Sequence, residues 1–115
     1  MLRVYGIKNC STVKKALNWL DDNQLEYTFH DFKKEPATQE KLESWEKEVS
    51  WELLLNKRGT TWRKLTDEQQ SSVKDASSAN ILLLENNSMI KRPIIESKKG
   101  ILVGFDETEY KAKLK

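Results

Sequence analysis

The sequence has one cysteine, one histidine and two prolines in 115 residues. A single cysteine excludes a disulfide within the chain and a zinc site made of several thiolates. No apolar run approaches the ~18 residues that a membrane-spanning helix needs. The opening residues Met1-Leu2-Arg3-Val4-Tyr5 have neither the apolar core nor the cleavage site of a secretory signal. Neither charge dominates: 20 Lys and Arg against 18 Asp and Glu leave a net charge of +2. That balance does not by itself point to nucleic acid or to an anionic membrane. What remains is a chain of single-domain length, able to bury roughly two-thirds of its unfolded surface around one core. We expect a soluble cytoplasmic monomer in a reducing compartment. We expect no metal, no tightly bound cofactor, and no direct nucleic-acid or membrane partner.

With only four glycines and two prolines, the position of each is informative. Leu2 to Tyr5 reads as a short strand ending at Gly6. Val13, Ala16, Leu17 and Leu20 recur at helical spacing and predict a helix that ends near Asp22-Asn23. Tyr27 to Phe32 alternates large apolar with smaller or polar residues and predicts a second strand. A helical crossover between the two makes them parallel. From Lys33 to about Ser88 the pattern turns helical. Pro36-Ala37-Thr38 precedes a helix with Leu42, Trp45 and Val49 on one face, and Trp51 to Leu55 reads as a short helix. Asn56 to Trp62 reads as a loop, Thr66-Asp67-Glu68-Gln69 as a capping box, and Ser77 or Ser78 as the cap of a helix through Leu84. Strands return at Pro93 to Glu96 and Ile101 to Val103, around the hairpin connection Ser97-Lys98-Lys99-Gly100. A short helix then starts at Asp106. The order is β-α-β, a helical insert, then β-β-α.

The cysteine falls where the first strand has ended and the first helix begins. The first turn of a helix carries unpaired N–H groups and partial positive charge, which favour a thiolate over a thiol. Lys8 and Lys14 are placed to add positive charge. A small buried hydrophobe closing a strand-helix junction is the alternative. The flanking Lys8, Asn9, Ser11 and Thr12 are all polar, which argues against burial. Cys10-Ser11-Thr12-Val13 is not C-x-x-C, because Val13 stands where a second cysteine would be. A disulfide at Cys10 therefore needs sulfur from another molecule, either a low-molecular-weight thiol or a glutaredoxin-type protein.

Two other segments carry candidate chemistry. In Lys91-Arg92-Pro93-Ile94 the proline restricts Arg92 to extended geometry, and the guanidinium presents a planar donor fork to an oxyanion or carboxylate. An ordinary strand start with a solvated arginine has the same sequence. In Asn56-Lys57-Arg58-Gly59-Thr60-Thr61-Trp62, Arg58 belongs to a basic glycine-containing loop that suits an anion, a partner surface around Trp62, or a plain polar turn. His30 reads as structural. Trp19, Trp45, Trp51 and Trp62 are expected in buried or half-buried places.

The run Tyr5-Gly6-Ile7-Lys8-Asn9-Cys10 with Lys14-Lys15-Ala16 resembles the arsenate reductase (ArsC) family, in its branch of small YffB-like and Spx-related proteins. Leu54 to Leu65, Ile90 to Ile95 and Leu102 to Phe105 resemble the same branch in the same order. The resemblance implies one thioredoxin-like domain over residues 1–115, α/β in class (α+β, three-layer), with a helical insert at about residues 34–89. It implies that Cys10 is the nucleophile and that Arg92 binds an oxyanion beside a cis Pro93 lining the site. Lys8, Asn9, Ser11, Thr12, Lys14 and Arg58 complete the expected binding set. The chain departs from arsenate reductases in three places. Asn56 stands where they carry a second arginine, Val103-Gly104-Phe105 lacks their third, and Gly6 replaces a histidine. The implied activity is a glutathione- or thiol-dependent reductase, with glutathione or a glutaredoxin-type protein as partner. The alternatives are an Spx-like regulator that binds RNA polymerase and a thioredoxin-fold protein without activity.

Overall fold

The computed structural model describes residues 1–115. Four strands, β1 (Leu2–Gly6), β2 (Tyr27–Asp31), β3 (Ile94–Ser97) and β4 (Gly100–Val103), form one sheet of order β2-β1-β3-β4. Seven helices accompany them: α1 (Ser11–Asp22), α2 (Gln39–Glu46), α3 (Trp51–Leu54), α4 (Thr60–Arg63), α5 (Asp67–Ser71), α6 (Ala76–Glu85) and α7 (Glu107–Leu114). A 3₁₀ turn covers Asn87–Met89. No helix is long and apolar enough to cross a membrane. The chain divides into two compact units: Met1–Glu35 with Arg92–Lys115, and Pro36–Lys91.

The first unit is the sheet with α1 and α7. β1 pairs parallel with β2 and antiparallel with β3, and β3 pairs antiparallel with β4. The register aligns Phe29, Val4, Ile95 and Leu102 in one row across the four strands. Because strand side chains alternate, this row forms one apolar face. It packs with Ala16, Trp19 and Leu20 of α1 and Tyr110 of α7 in a single core cluster. Leu17, expected on the buried arc of α1, is half-covered, and the large ring of Trp19 takes that role from the other side of the arc. Tyr110 meets Trp19 and Phe105 edge to face, with ring centroids 5.4 Å and 5.1 Å away. Its hydroxyl donates to the Gly104 carbonyl at 2.5 Å, so the buried phenol is not left without a partner. On the other sheet face, Tyr5 stacks on His30 at 4.7 Å and donates to Glu96 at 3.2 Å. His30 Nδ1 also lies 3.0 Å from Glu35, consistent with a structural role. Gly100 has φ 119°, where glycine closes the hairpin at no steric cost. Asp106 caps α7 by accepting from the Thr108 and Glu109 amides.

The second unit is helical, with Leu42, Trp45, Leu54, Leu83, Met89 and Ile90 among its most buried side chains. Thr38 caps α2, and Thr66 with Gln69 forms the expected capping box at α5. Val49 lies beyond α2, which stops at Glu46. Two further expectations are corrected. Thr60–Arg63 forms one turn of helix instead of loop; paired β-branched threonines after a glycine hide that turn from propensity. The cap of α6 is Asp75, and Ser78 is its N3 partner in a reciprocal capping box. The serine reading mistook the second member of that box for the first. Trp19 and Trp45 are buried, while Trp51 and Trp62 are half-buried.

Candidate active site

β1 ends at Gly6, and a turn through Lys8 and Asn9 delivers Cys10 to the N-cap of α1 with extended backbone, φ −112° and ψ 125°. The helix is already closed behind it, since the Lys14 amide donates to the Cys10 carbonyl at 3.0 Å. An N-cap side chain meets the amides two and three residues on, which here are Thr12 and Val13. Sγ does not close the short cap bond that a serine or aspartate would. Both amides nevertheless face the sulfur and stabilise its anion.

Arg92 reaches the same place from the other end of the chain. Tyr5 pairs with Ile94, so the start of β3 lies beside the end of β1. The Arg92–Pro93 bond is cis, Pro93 is buried, and its carbonyl accepts from the Gly104 amide at 2.8 Å. From this position the half-buried Arg92 guanidinium hydrogen-bonds the sulfur and adds its charge. Partial burial pushes the Cys10 thiol up. The Val13 amide, the Arg92 side chain and the Thr12 amide act against it and prevail, so the thiol sits below its ordinary value.

Cys10, Thr12 and Arg92 are thus brought together, with Pro93 following Arg92 across a cis bond. Ser11 is exposed at the first position of α1. Lys8 and Lys14, expected to supply the positive charge, are exposed and are not among the groups that lower the thiol. Water screens their ammonium groups, and the effective cation is Arg92. Asn9 is likewise exposed in the turn. Arg58 belongs to the second unit, where it is exposed and its amide donates to Asn56 Oδ1 at 3.1 Å. In the same segment Lys57 Nζ lies 5.5 Å from the centre of the Trp62 ring. The sequence reading missed the Val13 amide, although the spacing of three from an N-cap residue is the signal for it. A cavity of about 500 Å³ opens among residues that include Leu2, Leu25, Ser97, Lys99 and Leu114, and Cys10 does not line it. Charge stabilisation at the sulfur, and not concavity, marks the site.

A family model described as the ArsC family matches residues 5–113. The chain is similar to the YffB protein of known structure, with 43% identity, a TM-score of 0.94 and coverage of 100% of both chains. It is similar to an arsenate reductase (ArsC) related protein from Brucella melitensis, with 47% identity and a TM-score of 0.75 over 99% of this chain and 94% of that one. The global transcriptional regulator Spx of Streptococcus agalactiae is 30% identical over 115 residues, or 97% of this chain and 82% of that protein.

Proposed function

The chain belongs to the ArsC family and has its thioredoxin-like α/β fold, and from that premise we propose that it is a thiol-dependent reductase using glutathione, with Cys10 as nucleophile. The observation that carries the proposal is the surround of the sulfur: two backbone amides and one guanidinium, all favouring the anion. The Cys10 thiolate attacks one sulfur of an oxidised thiol. A Cys10–sulfur bond forms, the substrate sulfur–sulfur bond breaks, and the released thiolate takes a proton. An external thiolate, from glutathione or a glutaredoxin-type protein, then attacks the mixed disulfide and frees Cys10. The external thiol leaves bonded to the sulfur it takes from Cys10, and a second external thiol breaks that disulfide. Two electrons thus pass from two external thiols to the substrate, and the external thiols end as their own disulfide. Val13 occupies the place of a resolving cysteine and no second cysteine exists, so the resolving sulfur is borrowed. Arg92 holds the anionic part of the substrate or a glutathione carboxylate.

A sulfur electrophile suits this site better than arsenate. Arsenate is a dianion that calls for several cations, whereas Gly6 and Val103-Gly104-Phe105 stand where arsenate reductases place charged or polar groups. The test is to incubate reduced protein with glutathione disulfide and follow intact mass. We expect one glutathione adduct, absent in Cys10→Ser and removed by reduced glutathione. An adduct that forms no faster than on a free cysteine peptide would sink the proposal.

The likeness to Spx supports a second reading, a regulator that contacts RNA polymerase. Co-purification of polymerase with the tagged protein, retained in Cys10→Ser, would favour it. Both readings place the protein in the reducing cytoplasm.

A further inference from the structure

Gly6 is not a glycine for conformational reasons, because of the four glycines only Gly100 and Gly104 have positive φ. It is a glycine for want of room. A Cβ on Gly6 would stand 2.9 Å from Val13 Cγ2 and 3.6 Å from Val13 Cγ1, with Phe29 Cε1 at 3.7 Å. A real Cβ does not sit 2.9 Å from a carbon, so one partner would have to move. Gly6 is tied down. It pairs with Asp31 across the sheet, and its carbonyl accepts from the Phe32 amide at 2.9 Å. Val13 is fully buried, and its branched side chain is stiff at χ1. The mobile party is therefore the first turn of α1, the turn whose amides face Cys10.

We propose that Gly6 and Val13 are a positioning pair: the Val13 isopropyl group, seated on the bare Cα of Gly6, sets the depth of the first turn of α1 and so aims the Thr12 and Val13 amides at the Cys10 sulfur. Neither residue acts on the substrate directly; the pair acts through the thiol. The inference rests on the reading of Cys10 as an activated nucleophile and names what holds its activation in place. It also gives a physical reason why position 6 lacks the histidine of arsenate reductases. With Val13 in place, a Cβ at this position pushes against the helix start.

The experiment is the rate of Cys10 alkylation against pH for the wild type, Gly6→Ala, Val13→Ala and the double variant, with thermal melts to confirm folding. Gly6→Ala should raise the apparent pKa of Cys10 by about one unit, roughly a tenfold loss of rate below that pH. Val13→Ala, which leaves the seat empty without a clash, should shift it the same way by about threefold in rate. The double variant should recover most of the Gly6→Ala loss, because the added Cβ then meets no isopropyl group. A folded Gly6→Ala with the wild-type profile overturns the pair. So does a double variant no better than Gly6→Ala. If Gly6→Ala does not fold, an unmoved profile in Val13→Ala overturns it. A wild-type thiol titrating near ~8.5 fails the reductase reading itself, whereas a low wild-type value untouched by any variant fails only the pair.

Discussion

Cys10 in the first unit and Glu46 in the second are two acids facing the same problem with opposite outcomes. Both are half-buried, and in both the loss of hydration is the largest single influence. Cys10 ends below its ordinary value and Glu46 above its own. The difference lies in the donors. Cys10 stands at the start of α1, where amides point outward and the helix dipole is positive, and Arg92 adds a guanidinium. Glu46 is the last residue of α2, at the negative end of its helix, with Glu43 adding like charge. Its single donor is Asn80 Nδ2, 3.0 Å from Oε1. Glu46 Oε2 and Asn80 Oδ1 are both buried and accept no hydrogen bond. A proton on Glu46 would turn one of these two unpartnered acceptors into a donor. Burial raises both acids; the number and sign of the neighbours decide the result.

The comparison can be broken at either end. The largest effect is expected from Asn80→Ala, which strips Glu46 of its donor in a buried setting. It should cost about 2 kcal/mol in urea unfolding, and a loss near zero would mean that water already serves Glu46. Next comes Arg92→Ala. It removes both a hydrogen bond and a charge from the sulfur, so the Cys10 alkylation profile should move up by about one pKa unit, a tenfold slower rate below it. An unmoved profile would assign the lowered thiol to the amides alone.

The two regions were also unequally legible in the sequence. The position of Cys10 at a helix start followed from the period of Val13, Ala16 and Leu20, because a long amphipathic helix announces its phase over several turns. The convergence of Arg92 on Cys10 did not follow from spacing. It depends on Tyr5 pairing with Ile94, a contact between distant segments, and only the family resemblance pointed to it. The charge of Lys8 and Lys14 was overvalued because proximity in sequence says nothing about solvent screening. In the second unit the strong capping box at Thr66 was readable. The four-residue helix at Thr60 was not, since one turn carries no periodicity. The pairing of Glu46 with Asn80 was invisible: each looks like an ordinary surface polar residue until α2 and α6 pack.

The smaller predictions concern how each acid makes stability depend on pH, and their signs oppose. The folded value of Glu46 lies above its unfolded value of about 4.3. Its contribution is therefore fully present below that pH and is lost as pH rises through the folded value, because the folded state then gives up a proton it holds more tightly. Glu46→Gln keeps the shape, deletes the charge and gives the variant's amide a donor for Asn80 Oδ1. It should be more stable than wild type at pH 7 by about 1 kcal/mol and should lose the decline above about pH 4. A variant less stable at neutral pH would show that the carboxylate is wanted as an anion there. For Cys10 the folded value lies below the unfolded one, so its contribution grows as pH climbs toward about 8.5. Cys10→Ser should flatten that rise while leaving the acid side unchanged. The effect is the smallest of the four because the sulfur is partly exposed and solvent screens it. Urea titrations of the three proteins at a series of pH values separate the two slopes, and a rise with pH that persists in Cys10→Ser would have to come from another group.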